Sequence, residues 1–369
     1  MRHACAVAVL VAALGVLADG QAGDTPESHI ATAKAAARDD LTGLFNRTCG
    51  SLNPPPAAGR GSATAGAQAT LARDNWHAEP VKVFDNLYFV GQTEYSAWAV
   101  TTSDGIILVD TIFDYSVEDE VVGGLRKLGL DPAKIKYAIV SHGHGDHSGG
   151  ALYLQEHFGT HVILSAEDWN LLDRSNGVRP KKDMVATDGQ KLTLGDTTLT
   201  MYLTPGHTYG TISTLIPVKD RGTPHLVAEW GGTRFNWLTN RNAYITPERP
   251  ESFWFNAYRM SAERFRDIAS KAGADVIIAN HTEYDGSKTK LPAVLARKAG
   301  DPNPYVVGRD GVQRYMTIVH ECSSAGLLQA RDRQRPPAPQ GQQGGGGGFG
   351  LANLPPPTCT PSSHRCRIA

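Results

Sequence analysis

Ser141-His-Gly-His-Gly-Asp-His-Ser-Gly-Gly150 sets His142, His144, Asp146 and His147 within six positions, directly after the apolar run Tyr137-Ala-Ile-Val140. The run reads as a strand, so four donor side chains leave a sheet edge together. An imidazole offers zinc a neutral nitrogen at roughly 2.0 to 2.1 Å and a carboxylate adds a hard oxygen, a set that leaves a coordination position open for water and therefore for catalysis. Gly143 and Gly145 let the backbone turn sharply between donors, and Gly149-Gly150 let the next helix pack close to the loop. A helix sends neighbouring side chains to different faces, so a loop is expected here. Single histidines are usually core or surface residues; four donors in six positions are a different signal.

Two further histidines stand where a strand ends. His207 lies in Leu203-Thr-Pro-Gly-His-Thr-Tyr-Gly210, where Pro205 and Gly206 force a turn after a β-rich run. His281 closes Val276-Ile-Ile-Ala-Asn-His281, again past a buried-looking strand. Ligands gathered at strand ends are the expected geometry of an α/β active site.

Around these motifs the chain divides into four parts. Residues 1–22 read as a secretory signal: Met1-Arg2-His3 precedes the apolar stretch Ala4 to Ala18, too short to span a membrane, with cleavage after Ala18 or Ala22. Residues 23–75 hold a helix, with Ile30, Ala33, Ala37, Leu41 and Leu44 at helical spacing over 27–47, then a Pro/Gly/Ala/Ser-rich connection over 50–70. Residues 76–329 are expected to form the main domain, which holds the donor motifs. Its strands are expected at 81–90, 96–102, 105–110, 137–140, 161–164, 190–194, 198–204, 211–217, 224–228 and 275–279, with helices at 117–128, 149–157, 166–172, 253–272, 291–298 and 311–327. Residues 330–369 are a Pro/Gly/Gln-rich tail whose stretch 333–357 lacks the apolar surface to order itself.

With 36 Lys+Arg against 37 Asp+Glu, the chain has no basic field for nucleic acid, and a small-molecule substrate is expected. Nothing in the sequence speaks to oligomeric state. Export to the periplasm or outside the cell follows from the signal. Removing it, with Cys5, leaves Cys49, Cys322, Cys359 and Cys366 in a compartment that permits disulfides. Cys359 and Cys366 are near enough for a local loop, which would leave Cys49 with Cys322; all four staying reduced is the alternative. None has CxxC spacing, which keeps them out of the active site.

His-x-His-x-Asp-His, then Thr-Pro-Gly-His, then a histidine after a late strand resembles the metallo-β-lactamase superfamily over about 80–325, and most of all the zinc β-lactamase subclass without a cysteine ligand. The resemblance implies an α/β fold, an αββα sandwich with two zinc ions at one edge. It implies His142, His144 and His207 as ligands of one zinc and Asp146, His147 and His281 as ligands of the other, with Asp110 as a supporting carboxylate or, alternatively, a turn cap. Many relatives place an Asp or Cys ligand near Leu226-Val-Ala-Glu-Trp-Gly-Gly232. Trp230 in that position would leave a three-plus-three ligand set; Glu229 reaching in would turn the chemistry toward lactones or thioesters. Tyr209, Trp230, Phe235, Trp237 and Trp254 read as groove wall or as core.

The activity implied is opening of a β-lactam amide by a zinc-bound hydroxide that Asp146 orients. No Gly-x-Ser-x-Gly motif competes with it. The alternatives are a zinc-dependent lactonase or thioesterase, and an exported zinc-binding protein without catalysis.

Overall fold

The computed structural model describes residues 23–53 and 72–335. The expected signal, most of the 50–70 connection, the tail beyond residue 335, and with it Cys359 and Cys366, lie outside the described residues. Twelve strands occur among the described residues: β1 (Val81–Lys82), β2 (Leu87–Phe89), β3 (Trp98–Thr102), β4 (Gly105–Val109), β5 (Ile135–Ile139), β6 (His161–Ser165), β7 (Met184–Ala186), β8 (Gln190–Leu194), β9 (Thr197–Leu203), β10 (Ile212–Asp220), β11 (Thr223–Trp230) and β12 (Val276–Ala279). The helices are α1 (Pro26–Ala37), α2 (Thr42–Thr48), α3 (Gly123–Lys127), α4 (Gly145–Ser148), α5 (Ala151–Phe158), α6 (Ala166–Asp173), α7 (Asn236–Thr239), α8 (Arg241–Tyr244), α9 (Glu251–Ala272), α10 (Thr282–Asp285), α11 (Ser287–Ala296) and α12 (Gly308–Gln334).

One sheet has seven strands in the order β1 to β7, antiparallel through β4 and parallel from β4 to β7. The other has five, in the order β12-β11-β10-β9-β8, with only β11 and β12 parallel. The sheets bury their facing sides against each other: Phe89, Trp98, Ile107 and Ile139 from the first meet Leu199, Met201, Ile216 and Ile278 from the second. α9 and α12 cover the outer face of the five-stranded sheet, and α3, α5 and α6 cover that of the seven-stranded sheet. This is the αββα sandwich, with helices on both outsides and one apolar layer between sheets.

α9 forms because Trp254, Phe255, Tyr258, Ala262, Phe265 and Ala269 recur three or four residues apart and bury one stripe, and Gly273 ends it in the left-handed conformation (φ 81°). α12 crosses it at Gly326, where an added Cβ would stand 2.2 Å from the Phe255 ring, so only glycine allows the approach.

Three expectations need correction. The helix over 27–47 is two helices, broken at Arg38 (φ 45°), although Ala33, Ala37, Leu41 and Leu44 are all buried as the spacing required. Asp39 and Asp40 stay in water at the break, and Arg314 of α12 pairs with Asp40 at 2.7 Å. The final helix runs to Gln334, past the expected boundary at 329; Ala330 is buried, and Arg333 pairs with Glu251. β7, α7 and α8 were not expected, since three- and four-residue elements carry no readable period. Cys49 and Cys322 are joined in a disulfide, tying α2 to α12.

Candidate metal centre

β5 ends at Ile139, and the quoted stretch follows over the edge of the sandwich. Its first half is extended loop, but Gly145–Ser148 is one helical turn, so Asp146 and His147 do leave a helix, in different directions. His147 turns inward to Asp110, and Asp146 stays half-exposed at the mouth. Gly149 and Gly150 press on the segment after β4: a Cβ at Gly150 would lie 2.3 Å from the Thr111 carbonyl. That segment is strained. Asp110 (φ 64°) and the β-branched Ile112 (φ 52°) both occupy the left-handed region. Bonds to the loop hold it, from Thr111 N–H and Oγ1 to the His147 carbonyl (2.9 and 2.8 Å) and from Gly150 N–H to the Ile112 carbonyl (2.9 Å).

The structure brings all six residues singled out in the sequence to one place. His142, His144 and His207 have donor atoms close enough to share one ion, as do His142, Asp146 and His147. His281 joins the second group, its Nε2 lying 3.2 Å from His147 Nε2 and 3.7 Å from Asp146 Oδ2. Behind them, His142 Nδ1 donates to the Gly231 carbonyl at 3.0 Å and His207 Nδ1 to the Arg234 carbonyl at 2.9 Å. In neutral rings those bonds put the proton on Nδ1, so the two Nε2 lone pairs face each other across 3.1 Å. Facing lone pairs repel unless a cation sits between them. Burial keeps these rings neutral: it holds His142 and His207 well below the usual imidazole range, His144 at about 4 and His281 at about 3. The donor set fits a divalent metal of the zinc type.

His147 differs. Burial would lower it, but Asp146 and Asp110 outweigh burial and push it up to about 10. Asp146 is also buried against ionisation, yet the imidazolium of His147 holds it below the usual carboxylate range. Asp110 plays both parts considered for it: Oδ1 accepts from Ser141 N–H at 2.6 Å, and Oδ2 accepts from Ser141 Oγ at 2.9 Å and from His147 Nδ1 at 2.8 Å.

Glu229 and Trp230 do not join the cluster. Trp230 packs its ring on Tyr258 and Phe265 and donates Nε1 to the Tyr258 hydroxyl at 3.2 Å. Glu229 points between the sheets beside Thr214, fully buried, its carboxyl without a hydrogen bond. Burial, then the charge of Asp110, pushes its pKa well up, toward the neutral acid. Phe235 and Trp237 are core, while Tyr209 and Trp254 line a cleft of about 470 Å³ that opens beside His144.

Sequence reasoning missed several neighbours of the centre. The Tyr244 hydroxyl lies 3.0 Å from His144 Nε2, and Asn236 Nδ2 lies 3.1 Å from His207 Nε2. Both ride on the unexpected short helices α7 and α8. Asn280 donates to the Gly231 carbonyl at 2.7 Å, and the Tyr95 ring packs at a tilt against His281 with centroids 5.1 Å apart. Only Asn280, next to a predicted ligand, carried a sequence signal.

Residues 90–220 match the model of the metallo-β-lactamase superfamily, and the structure is similar to that of BJP-1, a subclass B3 metallo-β-lactamase of Bradyrhizobium japonicum, at 26% identity and TM-score 0.59, covering 70% of this chain and 97% of that one. Residues 90–220 thus carry a metallo-β-lactamase superfamily domain. Metallo-β-lactamase domain-containing protein 1 of Xenopus laevis is 34% identical over 117 residues, 32% of this chain and 46% of that protein. The N-acyl homoserine lactonase AttM of Azorhizobium caulinodans is 29% identical over 191 residues, 47% of this chain and 69% of that protein. The chain thus spans less than half the length of its frog relative. The metallo-β-lactamase fold and its histidine cluster mark a metal-dependent hydrolase, while its members differ in the bond they cut.

Proposed function

We propose that this chain is an exported zinc-dependent hydrolase that opens the amide of β-lactams, holding two ions: one on His142, His144 and His207, the other on Asp146, His147 and His281. The observation that carries this reading is the gathering of six donors at one edge of the sandwich with no carboxylate added from β11, since Glu229 is turned between the sheets. The likeness to a subclass B3 enzyme over 97% of its length supports the same reading. The Cys49–Cys322 disulfide supports export, because such bonds persist in oxidising compartments.

When bound, the ions supply a water activated near neutral pH and polarise a carbonyl oxygen. The chain's own groups do the rest. Asp146, held ionised and partly exposed at the mouth, orients that water by accepting a hydrogen bond; the attacking water's protons leave to solvent, and the departing amide nitrogen takes its proton from solvent water. Tyr244 stays a neutral donor, because burial pushes its hydroxyl up to about 12. With His144 and His207 engaged by metal, the Tyr244 hydroxyl and the Asn236 amide face the same space and donate to the substrate carbonyl as charge builds on it. Tyr209 and Trp254 offer an apolar wall to the rest of the substrate.

A lactonase is the second reading, favoured by the 69% coverage of the AttM relative. The test is metal content by mass spectrometry with a hydrolysis panel of a chromogenic cephalosporin, an acyl lactone and a glutathione thioester. Two zincs, cephalosporin turnover and its abolition by chelation are expected. Turnover of the lactone or thioester alone moves the substrate, and activity surviving complete metal removal ends the metal reading.

A further inference from the structure

The two chain segments that carry the first triad belong to different sheets. His142 and His144 follow β5 of the seven-stranded sheet, and His207 lies between β9 and β10 of the five-stranded sheet. One carboxylate holds both. Asp168, in the first turn of α6 and 1% exposed, accepts Gly143 N–H at 2.9 Å and Thr208 Oγ1 at 2.8 Å on Oδ2, and Gly210 N–H at 3.1 Å on Oδ1. Gly143 sits between two of the histidines, and Thr208 follows the third.

The backbone around this carboxylate leaves no slack. A Cβ on Gly210 would lie 1.8 Å from Ser165 Oγ and 2.8 Å from Asp168 Oδ1, and one on Gly143 would lie 3.0 Å from the Asp168 carbonyl. Ser165 in turn caps α6 by accepting Asp168 N–H at 3.1 Å, which fixes the carboxylate's own backbone. Three donors converge on two oxygens that have no other partners in the described residues.

We propose that Asp168 is a positioning residue of the first triad, setting the separation of His142 and His144 from His207 without touching metal or substrate. This rests on the reading of those histidines as ligands. Asp168→Asn keeps the shape, but its NH₂ must face either Gly210 N–H or the Gly143 and Thr208 donors, so one side of the clamp opens. Outer partners that orient ligands are worth 10- to 100-fold in metal affinity.

The experiment titrates cobalt(II) into the metal-free full chain carrying His281→Ala, which disables the second triad, with and without Asp168→Asn, and follows the visible absorption. Expected is a 10- to 100-fold weaker cobalt uptake and an altered band, with the metal-free melting temperature little changed. Uptake and band equal to those of the Asp168 protein overturn the proposal. If Asp168→Asn also lowers metal-free melting, Thr208→Val decides: it removes one bond and keeps the carboxylate, and weaker uptake at unchanged melting supports the clamp while unchanged uptake overturns it. A parent protein that takes up no cobalt overturns the clamp and the ligand reading together, which separates that failure from failure of the clamp alone.

Discussion

Imidazoles make up all of one triad and two members of the other, but the two triads are backed differently. His142 and His207 lean on backbone carbonyls, those of Gly231 and Arg234, so the first group is neutral without metal. The second leans on carboxylates: Asp110 backs His147, and Asp146 stands among the donors. A carbonyl fixes a tautomer and an orientation; a carboxylate does this and adds negative charge. The second group therefore depends on side-chain charge that one substitution can remove, whereas the first depends on the chain's path.

The largest break in this contrast is expected from Asp146→Asn. The shape stays, the anionic donor goes, and the water loses its orientation, so turnover should fall about a hundredfold or more. Metal analysis should show the second ion depleted and the first retained, with an unchanged circular-dichroism spectrum. Full zinc occupancy with near-normal turnover would end the two-ion assignment.

Asp110→Asn comes next, because it leaves every metal donor in place and removes the charge behind His147, the one donor that Asp110 touches directly, while its bonds to Ser141 can be kept by the amide oxygen. Affinity for the second ion should drop about tenfold to a hundredfold, read by competition with a chromophoric chelator. Loss confined to the first ion would mean that the triads have been paired wrongly.

Glu229→Gln sharpens the contrast from the other side. A neutral amide replaces an acid that burial pushes toward its neutral form and that lies outside the donor cluster, so zinc content should not change and turnover should stay within about threefold. Loss of a full equivalent of zinc would show that Glu229 swings in as a ligand.

The smallest effect on activity is expected at His29, far from the centre. His29 joins α1 to α12 through Glu321 at 2.5 Å and also bonds Asp24 at 2.8 Å. Burial lowers its pKa, but these two carboxylates outweigh burial and raise it. A raised folded pKa means that the stabilisation is full below the unfolded value near 6.5 and is lost as pH rises through the folded one. His29→Ala should turn over substrate normally and lose about 1 kcal/mol or less of stability. Thermal melts at pH 6 and pH 9 check it: the deficit should be larger at pH 6, and an equal deficit at both would remove the charge from the explanation.

Much of the centre was legible because its donors are local in sequence or sit at strand ends. His142, His144, Asp146 and His147 announce themselves within one turn of chain, and His207 and His281 each follow an apolar run that could only be a strand. The apolar spacing of 253–272 likewise marked α9 to within two residues. Short elements escaped for the opposite reason: α7 and α8, four residues each, are held by what they pack on, so Asn236 and Tyr244 had no periodicity to betray them.

Residue types and spacing alone were enough to mark six donors at strand ends and a metal they suit, since coordination chemistry and hydrophobic periods are written locally, while the sandwich and the two ligand sets were implied by the resemblance to the metallo-β-lactamase superfamily. What tertiary structure alone decided was which donors face one another and what stands behind them. Asp168 reads in sequence as one more acid in the first turn of a helix and becomes a clamp only where three donors from two sheets converge on it. Glu229 reads as a candidate ligand and turns out buried between the sheets, because the pleat of β11 sends alternate side chains to opposite faces, and the face that receives Glu229 is settled by its pairing with β10 and β12.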